Sequence, residues 1–338
     1  MNVTIKDVAK LAGVSASTVS RALADHPAIS EQTKIKVKRA VDQLGYGKGS
    51  FKFKVRKTLH TIGIPIPTAS YKYDTNSFIL EAITGISCYC SAKNYGSILI
   101  AQPTVDEIIA TVKNMYSCGS LDGIILPYSI SQDKLITFLK NVDIPFIIIG
   151  KPENGDDSIF YIDNDNIMAA RQGTNYLINL GHTKIAYIGA KENLIFSKDR
   201  KAGYLLSLAE NRIDIRASYT IEGDVNSDGL NNKIQQLLSS KNRPTAVLAC
   251  DDIFAMTIEK AAQACGLKIP KDLSIVSFNN SALAAFSNPP LTSIDINSRQ
   301  LGREAASQLI NYIENPMITP SKIIVPHQLI ERSSCQSK

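Results

Sequence analysis

Two groups of residues in this 338-residue chain have the types and spacing to do chemistry. The first is compact. In ASTVSRAL, helical spacing puts Val19, Ala22 and Leu23 on one side and Ser17, Thr18 and Arg21 on the other. Short hydroxyls let a backbone come close to a polyanion, and the one long guanidinium has forked donors that match the O6/N7 acceptor pair of guanine. The second group is dispersed, and nearly every member follows an apolar run. Gly150 and Lys151 end PFIIIGK, and Asp163, Asn164 and Asp165 follow FYI. Phe196, Asp199 and Arg200 lie in FSKDRKAGY, Asp251 follows LAC, Phe278 and Asn279 end SIVSFN, and Phe78 closes PTASYKYDTNSF. Carboxylates, amides and arginine around aromatic faces suit a ligand rich in hydroxyls, because a hydroxyl donates and accepts at once.

The elements that must position the first group are short helices. Thr4 and Asp7 form a capping box with Asp in the place of Glu or Gln, and open a helix with Ile5, Val8, Ala9 and Ala12 on one face. Gly13 stops it, and Ser15 can cap the second helix. A third is expected from Ser30 to Gly45, carrying Ile35, Val37, Val41 and Leu44. Two short helices joined by a tight glycine turn make a helix-turn-helix. The charge agrees with that reading. Residues 1–60 hold 12 Lys+Arg against 4 Asp+Glu, and the rest hold 25 against 27, so a basic head precedes a nearly neutral body.

For the second group the elements are strands. TIGIPI, SILIAQ, GIILPY, PFIIIG, KIAYIG, AVLAC, SIVSFN and LTSIDI alternate with helical patterns, as parallel sheets of βαβ units require. That many strands fit two doubly wound lobes better than one sheet. Ligands of such sheets sit at the carboxyl ends of the strands, where the dispersed polar residues fall.

VTIKDVAKLAGVSASTVSRAL resembles the DNA-binding head of the lactose/purine repressor (LacI/GalR) family of bacterial transcription regulators. PFIIIGKP, YIDNDN, SKDRKAGY, SFNNS and NPPLTSIDI extend the resemblance over nearly the whole chain, and are most similar to the maltose-operon regulators of Gram-positive bacteria. The resemblance implies an all-α helix-turn-helix head followed by a bilobed α/β body like that of periplasmic binding proteins. Its domains would be a head at 1–47, a hinge at 48–60 and an effector-binding and dimerisation domain at 61–338. One lobe would span about 61–161 and 292–321, the other about 162–291 and 322–333. The three crossovers would lie near residues 161–162, 291–292 and 321–322.

By the same resemblance, Ala16, Ser17 and Arg21 would touch bases, while Thr4, Ser15, Thr18 and Ser20 would serve phosphates or positioning. Arg200, Asp251 and Asn279 would contact an effector, with Phe78, Lys151, Asp163, Asn164, Phe196, Asp199 and Phe278 around it. Asp251 stands where the family often has Asn, and Asn279 where it often has Asp. The implied partners are double-stranded operator DNA, a small sugar such as maltose or a maltodextrin that releases it, and a second copy of the chain. A carbon-catabolite regulator answering to a phosphorylated carrier protein is the alternative within the family. No heptad pattern follows Ile330, so no tail-built tetramer is expected.

The stretch KGSFKFKVRK lies where the family has its hinge, a segment that becomes a helix in the minor groove and wedges a base step with an apolar side chain. Lys48, Lys52, Lys54, Arg56 and Lys57 are interleaved there with Phe51, Phe53 and Val55, without an acid. Gly47-Lys48 replace the family's Pro-Asn. Counting from Tyr46 puts Val55 at the wedge position, whereas counting from Gly63 puts Lys54 there.

Other classes fit less well. GYGKG at 45–49 imitates a phosphate loop, but no strand precedes it and no Lys-Ser/Thr pair follows, and there is no G-x-S-x-G elbow, so no catalysis is expected. DNDN lacks the glycine and distal glutamate of a calcium loop. The histidines are scattered and the cysteines form no C-x-x-C pair, so neither a metal, a cofactor nor a disulfide is expected. MNVTIKDVAK has no apolar signal core and no run is long enough to span a bilayer, which implies a cytoplasmic protein without a membrane partner.

Overall fold

The protein is described here by a computed structural model covering residues 4–23, 26, 28–44, 60–68, 77–225 and 227–338. It divides into two units, Met1–Leu59 and His60–Lys338.

The first unit holds α1 (Ile5–Ala12), α2 (Ala16–Leu23) and α3 (Glu31–Leu44). The Asp7 carboxylate accepts from the Thr4 backbone N–H at 2.8 Å and from its hydroxyl at 2.7 Å, closing the start of α1. Gly13 ends α1 at φ +69, a left-handed conformation that glycine adopts at no steric cost. Val8, Ala9, Val19, Val37 and Ala40 form the small core, with Ala22, Val41 and Leu44 packed against it. Leu23 and Ile35 are half exposed instead. Ile35 lies two residues before Val37, on the far side of a helix whose buried face runs 37, 40, 41, 44.

In the second unit β1 (His60–Pro67) starts one residue before the expected boundary. Then come α4 (Ser77–Ala92), β2 (Tyr95–Gln102), α5 (Val105–Ser117), β3 (Gly123–Leu126), α6 (Lys134–Asn141), β4 (Phe146–Ile149) and β5 (Phe160–Asp163). The second lobe is built from α7 (Asn166–Asn179), β6 (Ile185–Gly189), α8 (Ile195–Glu210), β7 (Thr220–Glu222), α9 (Asp228–Ser239), β8 (Ala246–Ala249), α10 (Asp252–Ala264), β9 (Ser274–Phe278), α11 (Ala282–Phe286) and β10 (Thr292–Asp295). Finally α12 (Ser298–Glu314) and β11 (Lys322–Ile324) return to the first lobe, and β12 (Gln328–Ile330) closes the second.

Each lobe is a six-stranded sheet. The orders are β11-β5-β4-β3-β1-β2 and β12-β10-β9-β8-β6-β7. The described pairings are parallel except that of β10 with β12. Helices cover both faces, so β3, β6, β8 and β9 are buried along their whole length, which is why they read as unbroken apolar runs. In the first lobe α4 and α12 pack at backbone distance: a Cβ on Gly85 would lie 2.1 Å from the Arg299 carbonyl oxygen, and one on Gly302 2.0 Å from that of Ala82.

The crossovers fall later than expected. β5 stays in the first sheet through Asp163, β10 pairs with β9 and β12 in the second through Asp295, and β11 pairs with β5 in the first through Ile324. The chain therefore crosses after 163, after 295 and after 324. The ladder sets those points. Register pairs such as Lys322↔Tyr161 and Ser293↔Ile330 hold each strand in its sheet past the residues where the apolar pattern weakens.

Candidate functional site

On the head, Ser15 caps α2. Its Oγ accepts from the Thr18 backbone N–H at 3.1 Å and lies 2.8 Å from the hydroxyls of both Ser17 and Thr18. Val19 and the half-buried Ala16 and Ala22 hold the helix on the core, leaving Ser17, Ser20 and Arg21 exposed and Thr18 partly so. Thr4 is exposed at the start of α1. The outer surface is therefore small hydroxyls around one long cation, which suits a groove lined by phosphates and base edges. Lys52, Lys54, Val55 and Arg56 lie outside the described residues.

In the body, a cavity lies between the lobes at the carboxyl ends of both sheets. Arg200, from the first turns of α8, is its centre. Only 3 % exposed, it is stacked between two rings, with its guanidinium carbon 4.1 Å from the Phe278 centroid and 5.0 Å from that of Phe196. Nε donates to Asn166 Oδ1 at 2.8 Å and Nη1 to the Cys250 carbonyl at 2.5 Å. Nη2 makes no hydrogen bond to a described residue. Burial lowers the pKa of the guanidinium, and the nearby Asp251 and Asp163 carboxylates oppose that.

Two buried carboxylates share the cavity. Asp163 ends β5, and its Oδ1 accepts from the Asn164 backbone N–H at 2.8 Å and from Asn166 Nδ2 at 3.1 Å. Burial pushes it up to about 7, aided by the Asp199 charge and opposed by the Asn164 hydrogen bond, Arg200 and Lys151. Asp251 follows β8 and caps α10 by accepting from the Phe254 backbone N–H at 2.9 Å. Burial pushes it up to about 6, with Asp252 adding to the rise and the Phe254 bond and Arg200 opposing it. Both are poised to accept hydrogen bonds from ligand hydroxyls.

At the far side of the cavity from the crossovers the lobes touch again. Ile130 and Leu194 form an antiparallel bridge, Ser131 N–H donates to the Asn193 carbonyl at 2.9 Å, and Lys151 Nζ meets Asp199 Oδ2 at 2.6 Å. Gly150 allows that corner. At φ +106 it turns the chain so that Lys151 O accepts from the Ser129 hydroxyl.

The structure brings Phe78, Lys151, Asp163, Asn164, Phe196, Arg200, Asp251 and Asn279 to the cavity wall. Phe278 is not on the wall; it is fully buried beneath Arg200. Asp199 does not line the cavity either; it is engaged by Lys151. Asn164 reaches the wall, but its amide nitrogen is committed to the Ile296 and Val325 carbonyls, each at 2.9 Å. Sequence reasoning missed Tyr128, Ser129, Asn166, Ile296 and Leu301. Tyr128 and Ser129 follow β3, so the strand-end rule could have found them. Ile296 and Leu301 look like ordinary core residues.

Comparison with known proteins places this arrangement. Residues 4–48 match the model of bacterial regulatory proteins of the lacI family, and residues 174–335 that of a periplasmic binding protein-like domain. The chain is 35% identical over 333 residues to the HTH-type transcriptional regulator MalR of Staphylococcus xylosus, covering 98% of each chain. It belongs to the LacI family of bacterial transcription regulators. Among solved LacI-type structures, a Bacillus cereus subsp. cytotoxis protein described as transcriptional regulator LacI matches with a TM-score of 0.77 and 37% identity, covering 82% of this chain and 99% of that one. The CelR–cellobiose complex matches with a TM-score of 0.74 and 25% identity over 98% and 99% of the two chains. The relatives are regulators rather than enzymes, so the head and cavity are those of a DNA-binding transcriptional regulator of this family.

Proposed function

We propose that the protein represses a sugar-utilisation operon and is released from its operator by a maltose-type sugar held between the lobes. The observation that carries this reading is Arg200, stacked between Phe196 and Phe278 and flanked by the buried Asp163 and Asp251 carboxylates in the cavity between the lobes. A hydroxyl-rich ligand needs such a set, with donors, acceptors and an aromatic face converging in a dry site. A solved Staphylococcus structure described as a probable maltose operon transcriptional repressor, 28% identical with a TM-score of 0.75, supports maltose, and the cellobiose bound by CelR supports the disaccharide class.

In this proposal Ser17 and Arg21 read base edges, while Thr4, Ser15, Thr18, Ser20 and the basic stretch of Lys52, Lys54 and Arg56 meet phosphates. Residues 48–59 act as the hinge, with Val55 as its wedge. Sugar closes on Arg200, Asp251 and Asn279 and favours the body state with low operator affinity; its differential affinity for the two states sets the response, typically about 1–3 kcal/mol. The working unit is a homodimer, and the exposed Leu80, Ile98 and Leu99 on α4 and the edge strand β2 provide apolar surface for pairing.

Calorimetric titration tests the site. The full chain should bind maltose at one site per protomer, and Arg200→Ala should weaken binding by about 10-fold or more, the loss expected for charge-assisted hydrogen bonds. If maltose and maltodextrins do not bind, and a phosphorylated carrier protein changes DNA affinity instead, the sugar reading is wrong.

A further inference from the structure

The Asp-Asn pair after β5 does something other than present polar atoms to a ligand. Asn164 is 3 % exposed, and the two N–H groups of its side-chain amide are divided between the other two crossovers: Ile296 O after β10 and Val325 O after β11, both at 2.9 Å. An amide nitrogen has two donors, so both are used. Val325 N–H donates back to the Asp163 carbonyl at 2.8 Å, and Asn297 Nδ2 donates to the Pro326 carbonyl at 2.7 Å, joining the second crossover to the third. The same turn leads to the cavity. Asn164 N–H and Asn166 Nδ2 converge on Asp163 Oδ1, and Asn166 Oδ1 accepts from Arg200 Nε.

We propose that Asn164 is a positioning residue that clasps the three crossovers into one hinge and links their geometry to Arg200 through Asp163 and Asn166. The chain passes between the lobes at three separate places, and three free segments could each absorb a change in φ and ψ alone. One buried amide bonded to two of them from the third makes any rotation common to all. A buried polar network of this kind is stable only when every member is satisfied, so a shift of Arg200 on ligand binding must be passed to the hinge or break a bond. The coupling part of this inference rests on the cavity being a ligand site; the clasp itself does not.

The test uses the full chain, wild type and two variants, Asn164→Ala and Asn164→Asp. The second keeps the shape but sets a carboxylate against two carbonyl oxygens. Without ligand, hydrogen exchange in peptides covering the three crossovers should rise by about 10-fold or more in both variants, while β8 and β9 amides keep their protection. With DNA, the ratio of operator Kd with and without maltose should fall by about 5-fold or more. Unchanged crossover exchange, a rise spread evenly through the body, or wild-type behaviour of Asn164→Asp would each overturn the clasp. If wild-type operator binding ignores maltose, the sugar reading fails, and the exchange result alone decides the clasp.

Discussion

Asp163 offers a test in which the sign and the size both follow from its surroundings. Its carboxyl is 7 % exposed and is pushed up from the ordinary 3.8 to about 7, chiefly by burial. The folded protein thus holds a proton that the unfolded chain releases above about pH 4. Stability from this group is fully present below that point and is lost as pH rises through about 7. At about 1.36 kcal/mol per pH unit, that is on the order of 4 kcal/mol by pH 8. Asp163→Asn removes the ionisation and can keep Oδ1 as acceptor for Asn164 N–H and Asn166 Nδ2. At about pH 3, where Asp163 is neutral in both the fold and the unfolded chain, the variant should unfold within about 0.5 kcal/mol of wild type. At about pH 8 it should be more stable by roughly 2–4 kcal/mol, a rise of several degrees in the body's Tm. Circular dichroism melts at several pH values measure this. Parallel curves for the two proteins at every pH, or a less stable variant at the alkaline end, would refute the assignment of Asp163 as a buried, strained carboxylate.

Other outcomes follow from the same geometry. Arg21→Ala should cost about 1–3 kcal/mol on operator and relax preference at one position of each half-site, read by binding to a panel of single-base operator variants. Val55→Gly should remove most of the difference between operator and random DNA while the isolated head, followed by circular dichroism, stays folded; an unchanged ratio would make KGSFKFKVRK a solvated linker. Gly150→Ala forces a side chain into φ +106 with its Cβ 2.9 Å from that of Ser129, and should lower stability by about 1–3 kcal/mol and weaken maltose binding in calorimetry.

Much of the fold was legible because parallel strands buried on both faces leave unbroken apolar runs, and the eight segments read as strands coincide with β1 to β4, β6 and β8 to β10. β7, β11 and β12 have three residues each, too few to show a period. The site was legible wherever position alone decided it, since residues such as Lys151 and Asp251 simply follow a strand. Facing was not. Every residue of β9 is buried, so nothing in SIVSF reveals that Phe278 lies under Arg200 rather than beside a ligand. DNDN holds two carboxylates and two amides in four residues. Only the turn from β5 into α7 assigns Asp165 to the helix cap, Asn166 to Arg200 and Asn164 to the other crossovers.

The most direct measurement is fluorescence anisotropy of a labelled operator duplex, selected from a random pool by the full-length protein and titrated in the presence of maltose, maltotriose, glucose, ribose or cellobiose. Maltose or maltotriose should raise the operator Kd by about 5–150-fold and the other sugars far less, and Arg200→Ala should abolish the response while its sugar-free Kd is nearly unchanged. An operator Kd that no sugar alters, or a maltose response that survives in Arg200→Ala, would contradict the sugar reading.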